Sequence, residues 1–106
     1  MPKYLITASY TADGVKGLLK DGGTKRRQAA EAALKSVGGR LDAFYFAFGE
    51  HDVFLIADAP DNASVASASM AINASGAVQT KTAVLLTPEE IDQATKKQAT
   101  YQAPGR

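Results

Sequence analysis

Apolar and polar positions recur along this chain with two periods, and the switches between them mark out its elements. Tyr4 to Tyr10 (YLITASY) repeats every second residue, with Tyr4, Ile6, Ala8 and Tyr10 on one side and Leu5, Thr7 and Ser9 on the other. That is a strand. Thr11 then caps a short helix with Asp13 near its positive end, and Val15, Leu18 and Leu19 form a narrow apolar stripe at helical spacing. Gly14 and Gly17 weaken it, and Asp21-Gly22-Gly23 breaks or kinks it. A better helix restarts at Thr24. Ala30, Ala33, Leu34 and Val37 line one side, Arg27, Gln28, Glu31 and Lys35 face water, and Gly38-Gly39 supplies the left-handed stop.

The stretch from Arg40 to Asp58 (RLDAFYFAFGEHDVFLIAD) organises the rest. Two runs rich in aromatic and β-branched residues flank Gly49-Glu50-His51-Asp52, which reads as a β-hairpin. Strict alternation puts Phe44, Phe46 and Phe48 opposite Leu41, Ala43, Tyr45 and Ala47 in the first strand, and Val53, Leu55 and Ala57 opposite Phe54 and Ile56 in the second. Neither face is polar, so both must be covered. Pro60-Asp61-Asn62 makes a turn and an N-cap, and Ala63 to Ala74, rich in Ala and Ser, predicts a helix lying close against a sheet. Ala77 to Leu86 is the last strand, with Val78, Thr80, Thr82, Val84 and Leu86 on one side. Thr87-Pro88-Glu89-Glu90 starts a terminal helix with a Thr cap and Pro in the first position. Residues 1–95 make the domain, and 96–106 are expected to form a flexible tail.

The order β-α-β-β-α-β plus a C-terminal helix is an α+β, ferredoxin-like plan. Its helices cover one face of a four-stranded antiparallel sheet and leave the other open. Here the open face would carry large apolar groups, too much to leave wet. Two sheets stacked face to face solve the problem, so a homodimer or higher homo-oligomer of the dimeric α/β-barrel kind is expected, burying ~800 Å² per partner. Alternation allows either Phe44, Phe46 and Phe48 with Phe54 and Ile56, or Leu41 and Tyr45 with Val53 and Leu55, as the partner-facing set.

Composition narrows the function classes. At 106 residues and a net charge of +1 the chain is one domain with no general attraction for nucleic acid or membrane. Without cysteine it has no disulfide, thiolate nucleophile or Cys-based zinc site. One histidine and scattered acids cannot close a metal site within a protomer, and no cofactor is expected. No apolar run reaches the ~20 residues of a membrane span, and Met1-Pro2-Lys3-Tyr4 enters a strand directly without a signal-like segment, so a cytoplasmic location is expected.

The chain resembles the GYD-domain family of small bacterial proteins. The resemblance rests on the Tyr4 to Tyr10 strand followed by Thr11-Ala12-Asp13-Gly14, then Gly38-Gly39 with Phe44-Tyr45. It continues through Gly49-Glu50-His51-Asp52 with Val53 to Ala57, Ala59-Pro60-Asp61, and Thr80 with Thr82. It implies a dimeric α/β-barrel assembly, and names no reaction. The family usually has Tyr where this chain has His51.

Candidate chemistry is sparse. His51 between Glu50 and Asp52 has the groups of a general base or metal ligand, yet neighbours on a tight turn diverge, and Asp52 has an architectural use in binding the turn's amides. Gly49 is expected to supply a positive φ there. Tyr10, Tyr45, Thr80 and Thr82 offer polar tips to a cavity between sheet and helices, which with His51 and Asp52 makes the candidate ligand-binding set; no catalytic residue stands out. Gly22-Gly23-Thr24-Lys25 reads as a hinge rather than an anion nest, since GxxxxGK[ST] is absent. Lys25-Arg26-Arg27 reads as a solvated helix face, with no interleaved aromatics to stack on bases. The leading expectation is a small-molecule-binding domain. Its alternatives are a cofactor-free enzyme, a monooxygenase or isomerase, and a structural or partner-binding module.

Overall fold

A computed structural model describes all 106 residues. In chain order the elements are β1 (Lys3–Tyr10), α1 (Ala12–Asp21), α2 (Gly23–Ser36), β2 (Arg40–Phe46), β3 (Val53–Asp58), α3 (Asn62–Ala74), β4 (Val78–Leu85) and α4 (Pro88–Thr95). The strands form one sheet in the order β2-β3-β1-β4, with every neighbouring pair antiparallel. This is the ferredoxin-like arrangement that the order of elements predicts.

Local chemistry accounts for the helix boundaries. The Thr11 hydroxyl accepts from the Gly14 amide at 3.2 Å, and the Asp61 carboxylate accepts from the Ser64 amide at 2.8 Å. The Ser64 hydroxyl donates to the same carboxylate at 2.7 Å, and it, more than the amide, holds the Asp61 carboxyl below its ordinary pKa. Thr87 and Glu90 close a reciprocal capping box with Pro88 at the start of α4. Helices α1 and α2 are separated by Gly22 at φ +82°, a conformation only glycine takes cheaply. At the end of α2, Gly38 takes φ +80°, and the amides of Gly38 and Gly39 bond back to the carbonyls of Lys35 and Leu34. That is a Schellman stop.

The core lies between the sheet and the helices. Directly paired residues share a side, so Tyr4, Ile6, Ala8 and Tyr10 of β1 face the helices together with Leu55 and Val53 of β3 and Val78 and Thr80 of β4. Tyr4, Val53 and Ala57 are the most deeply buried on this face, joined from the helices by Leu34 and Val65.

Two expectations need correction. The register shifts between Leu41 and Ala43, a bulge at Asp42 that lets two residues of β2 stand against one of β3. As a result both Leu41 and Phe44 face the helices, which strict alternation forbids. The side away from the helices carries Ala43 and Tyr45 with Phe54 and Ile56, a combination of the two sets that alternation offers. Phe48 lies beyond the strand, fully exposed. In α1 the stripe of Val15, Leu18 and Leu19 is not a core face, since Leu19 is 81% exposed. The buried residue of α1 is Gly14, where a Cβ would run into the carbonyl of Ala77. Its missing side chain is a packing requirement.

The chain past α4 has no helix or strand, and no helix is long and apolar enough to cross a membrane.

Candidate functional site

The helices do not fill the space above the sheet. Helix α2 presents Ala30, Ala33 and Leu34, and α3 presents Val65, Ala68, Ser69 and Ile72. Most of these are too short to meet across the gap. A cavity of about 260 Å³ results, floored by Ile6, Ala8, Val53, Leu55 and Val78 and flanked by Phe44. The Ala- and Ser-rich pattern of α3 thus leaves a void over its second half instead of drawing the helix tight throughout.

The polar groups of this cavity are Tyr10, Arg26, Ser69, Ser75 and Thr80. The Ser75 hydroxyl is committed, donating to the Ile72 carbonyl at 2.7 Å. Thr80 is held by its backbone, whose amide donates to Asn73 Oδ1 at 2.9 Å. No protein group hydrogen-bonds the Tyr10 hydroxyl, the Thr80 hydroxyl or the Arg26 guanidinium, and no buried side-chain polar atom lacks a partner. The uncommitted groups therefore keep contact with solvent and are free to bond an incoming molecule.

Asp52 serves this site from behind. Its carboxylate accepts from the Tyr10 amide at 2.8 Å, its own amide donates to the Ala8 carbonyl at 2.8 Å, and its carbonyl accepts from Ala47 at 2.8 Å. One residue thus ties the β2–β3 loop to the end of β1 that carries Tyr10. Gly49 does not take a positive φ, and a Cβ on it would meet nothing, so the loop depends on Asp52 and not on Gly49.

The other predicted residues lie elsewhere. His51 lines a separate polar groove of about 220 Å³ with Thr7, Ser9, Glu50, Gln79 and Lys81, on the side of the sheet away from the helices. Its ring stands edge-on to Phe54, centroids 5.6 Å apart. Tyr45 is 71% exposed on that same side. Thr82 pairs with Ile6 on the helix side but is exposed beyond the cavity, whereas Thr80 lines both cavity and groove. Of the six residues, then, Tyr10 and Thr80 meet in the cavity and Asp52 supports them. Arg26 is the addition that sequence reasoning passed over. Its spacing to Ala30 and Ala33 places it on the stripe facing the sheet, a signal hidden inside the basic triplet.

At the far end of the outer side, Asp58 is 4% exposed and bound by the Lys3 ammonium at 2.9 Å and the Arg40 guanidinium at 2.8 Å. Lys3 also pairs with Asp42 at 2.8 Å, across the bulge. These hydrogen bonds, that of Lys3 foremost, hold the Asp58 carboxyl below its ordinary pKa. The His, Asp and Glu side chains nowhere gather in a group of three able to hold a metal ion.

The arrangement is that of an α+β ferredoxin-like domain with an apolar cavity under its helices. The chain belongs to the GYD domain family, which it matches over residues 4–95. Neither the curated proteins nor the solved structures yield a match.

Proposed function

We propose that this domain binds a small, mainly apolar molecule in the cavity between sheet and helices, and does so as a homodimer joined through the outer side of its sheet. The observation that carries the reading is the cavity itself. An engineered apolar cavity of about 150 Å³ already takes up benzene, and this one is about 260 Å³ with a floor of buried aliphatic side chains. A solvent-open apolar hollow of that size leaves its aliphatic floor without packing partners unless something occupies it. The cavity contains no carboxylate or imidazole, so its chemistry favours capture over proton transfer. For the dimer, the support is the apolar belt of exposed Tyr45 and Phe54 with half-buried Ile56 in the middle of the outer side.

The test is an apolar probe such as octanol, titrated against the native protein and against Ala33→Phe, which fills the cavity from α2. Binding at micromolar to millimolar concentration by the native protein, lost in the variant at unchanged fold, is the expected result. Equal binding by both would overturn the reading. Light scattering during the same preparation checks the mass expected of a dimer.

A further inference from the structure

The cavity has one charged residue, and that residue is unpaired. Arg27, next in sequence, has Glu31 one helical turn on, with Nη1 to Oε1 at 3.7 Å. Arg26 has Ala29 and Ala30 at the equivalent positions, so its own helix offers it no acid. No carboxylate from any other element lies within ion-pair distance of it either. It is half-buried where it lines the cavity. A half-buried, unpaired guanidinium beside apolar surface is a strong place for an anion, because the low local dielectric enhances the attraction. The planar fork of Arg further suits a carboxylate, which it grips through two parallel hydrogen bonds.

We infer that the cavity selects an apolar molecule ending in a carboxylate, its hydrocarbon part over Ile6, Val53, Leu55 and Val78 and its anionic end on Arg26, with the Tyr10 hydroxyl free to donate a further hydrogen bond. This rests on the binding reading above and names the ligand class for that same site. A single unpaired cation suits a single negative charge. A volume of about 260 Å³, less than twice that of a benzene-sized hole, limits the apolar part to a medium-length chain or a fused pair of rings.

The experiment compares octanoate, octanol and octylammonium by calorimetry on the native protein, Arg26→Gln and Arg27→Gln. Arg27 carries the same charge one residue away but does not line the cavity, so its variant measures the general field of the helix. Expected is a preference for octanoate over octanol of about tenfold or more, the size of one charge-assisted interaction. That preference should vanish in Arg26→Gln, persist in Arg27→Gln, and leave octanol binding unchanged throughout. Octanol and octanoate binding alike would overturn the carboxylate inference and leave the cavity reading standing. Equal losses in the two variants would overturn the role of Arg26, as would a preference that survives Arg26→Gln. Failure of all three probes to bind would overturn the cavity reading and this inference together.

Discussion

The two sides of the sheet solve opposite problems. On the helix side the chain supplies enough apolar area for a core, then leaves a hole in it by choosing Ala and Ser along α2 and α3. On the outer side it supplies an apolar belt with no cover, bounded by the Lys3, Arg40, Asp42 and Asp58 cluster at one end and the polar groove of His51 and Lys81 at the other. Burial on the first side holds the fold together. Burial on the second, in the proposed dimer, would hold two copies together, and the charged and polar ends would fix how they align. The lesson is that hydrophobicity alone does not tell the sides apart. What distinguishes them is which residues are tied to the helices.

Two tyrosines put this contrast to its severest test. Tyr4, 1% exposed, packs under α3 and donates its hydroxyl to Asn62 Oδ1 at 2.6 Å. Tyr45 stands 71% exposed on the outer side. Tyr4→Ala should cost about 3–5 kcal/mol, the range for deleting a buried aromatic ring, read by urea unfolding. Tyr45→Ala should leave the unfolding of the monomer within about 0.5 kcal/mol while shifting the dimer toward monomer in light scattering. A Tyr45→Ala protein with unaltered mass would remove the belt from the interface.

The charged end of the outer side gives a smaller effect with a pH signature. Because Lys3 and Arg40 lower the pKa of Asp58 in the folded protein, folding releases protons from this group. Its contribution is therefore fully present above the ordinary value of 3.8 and is lost as pH falls through the lower folded value. Thermal melts from neutral into acid should show Asp58→Asn several degrees less stable at neutral pH, with a shallower acid decline than the native protein. Parallel curves for the two would mean that the cluster is screened by water and contributes little.

How much of this was legible in the sequence depended on the reach of each interaction. Caps at Thr11, Asp61 and Thr87 and the Gly38-Gly39 stop were legible because their partners lie within a few residues. The faces of β2 were not, because the bulge at Asp42 shows only in the register against β3, a partner more than ten residues on in the chain. Gly14 looked like a weak point in a helix, since the Ala77 carbonyl that forbids a side chain there comes from the other end of the domain. The Ala and Ser stripes were visible, but whether small residues close a gap or leave one is decided by the lengths of facing side chains. Arg26 was hidden by its neighbours: charge patterning sees a triplet, and only helical phase separates the member that turns inward.

The smallest expected effect, that of His51→Tyr, stands beside a larger one at its neighbour Asp52, the two residues serving opposite sides of the sheet. Asp52 makes two hydrogen bonds that join the β2–β3 loop to β1 and a third to Ala47 across the loop, and through the Tyr10 amide it positions a residue of the cavity. His51 makes none through its side chain and touches Phe54 in the outer groove. Asp52→Ala keeps the backbone bonds but strips the acceptor from the Tyr10 amide, a loss of about 1–3 kcal/mol. Tyr10 would also be freer to shift, so octanoate binding should weaken in the same variant. His51→Tyr exchanges one half-buried ring at the rim of the groove for another and should melt within about 0.5 kcal/mol of the native protein, with the cavity unaffected. The comparison sharpens if the two readouts separate. A His51→Tyr protein that melts normally and binds octanoate normally but changes its mass would place the groove inside the interface. One that loses octanoate would mean that the two sides of the sheet share a site, which their geometry argues against.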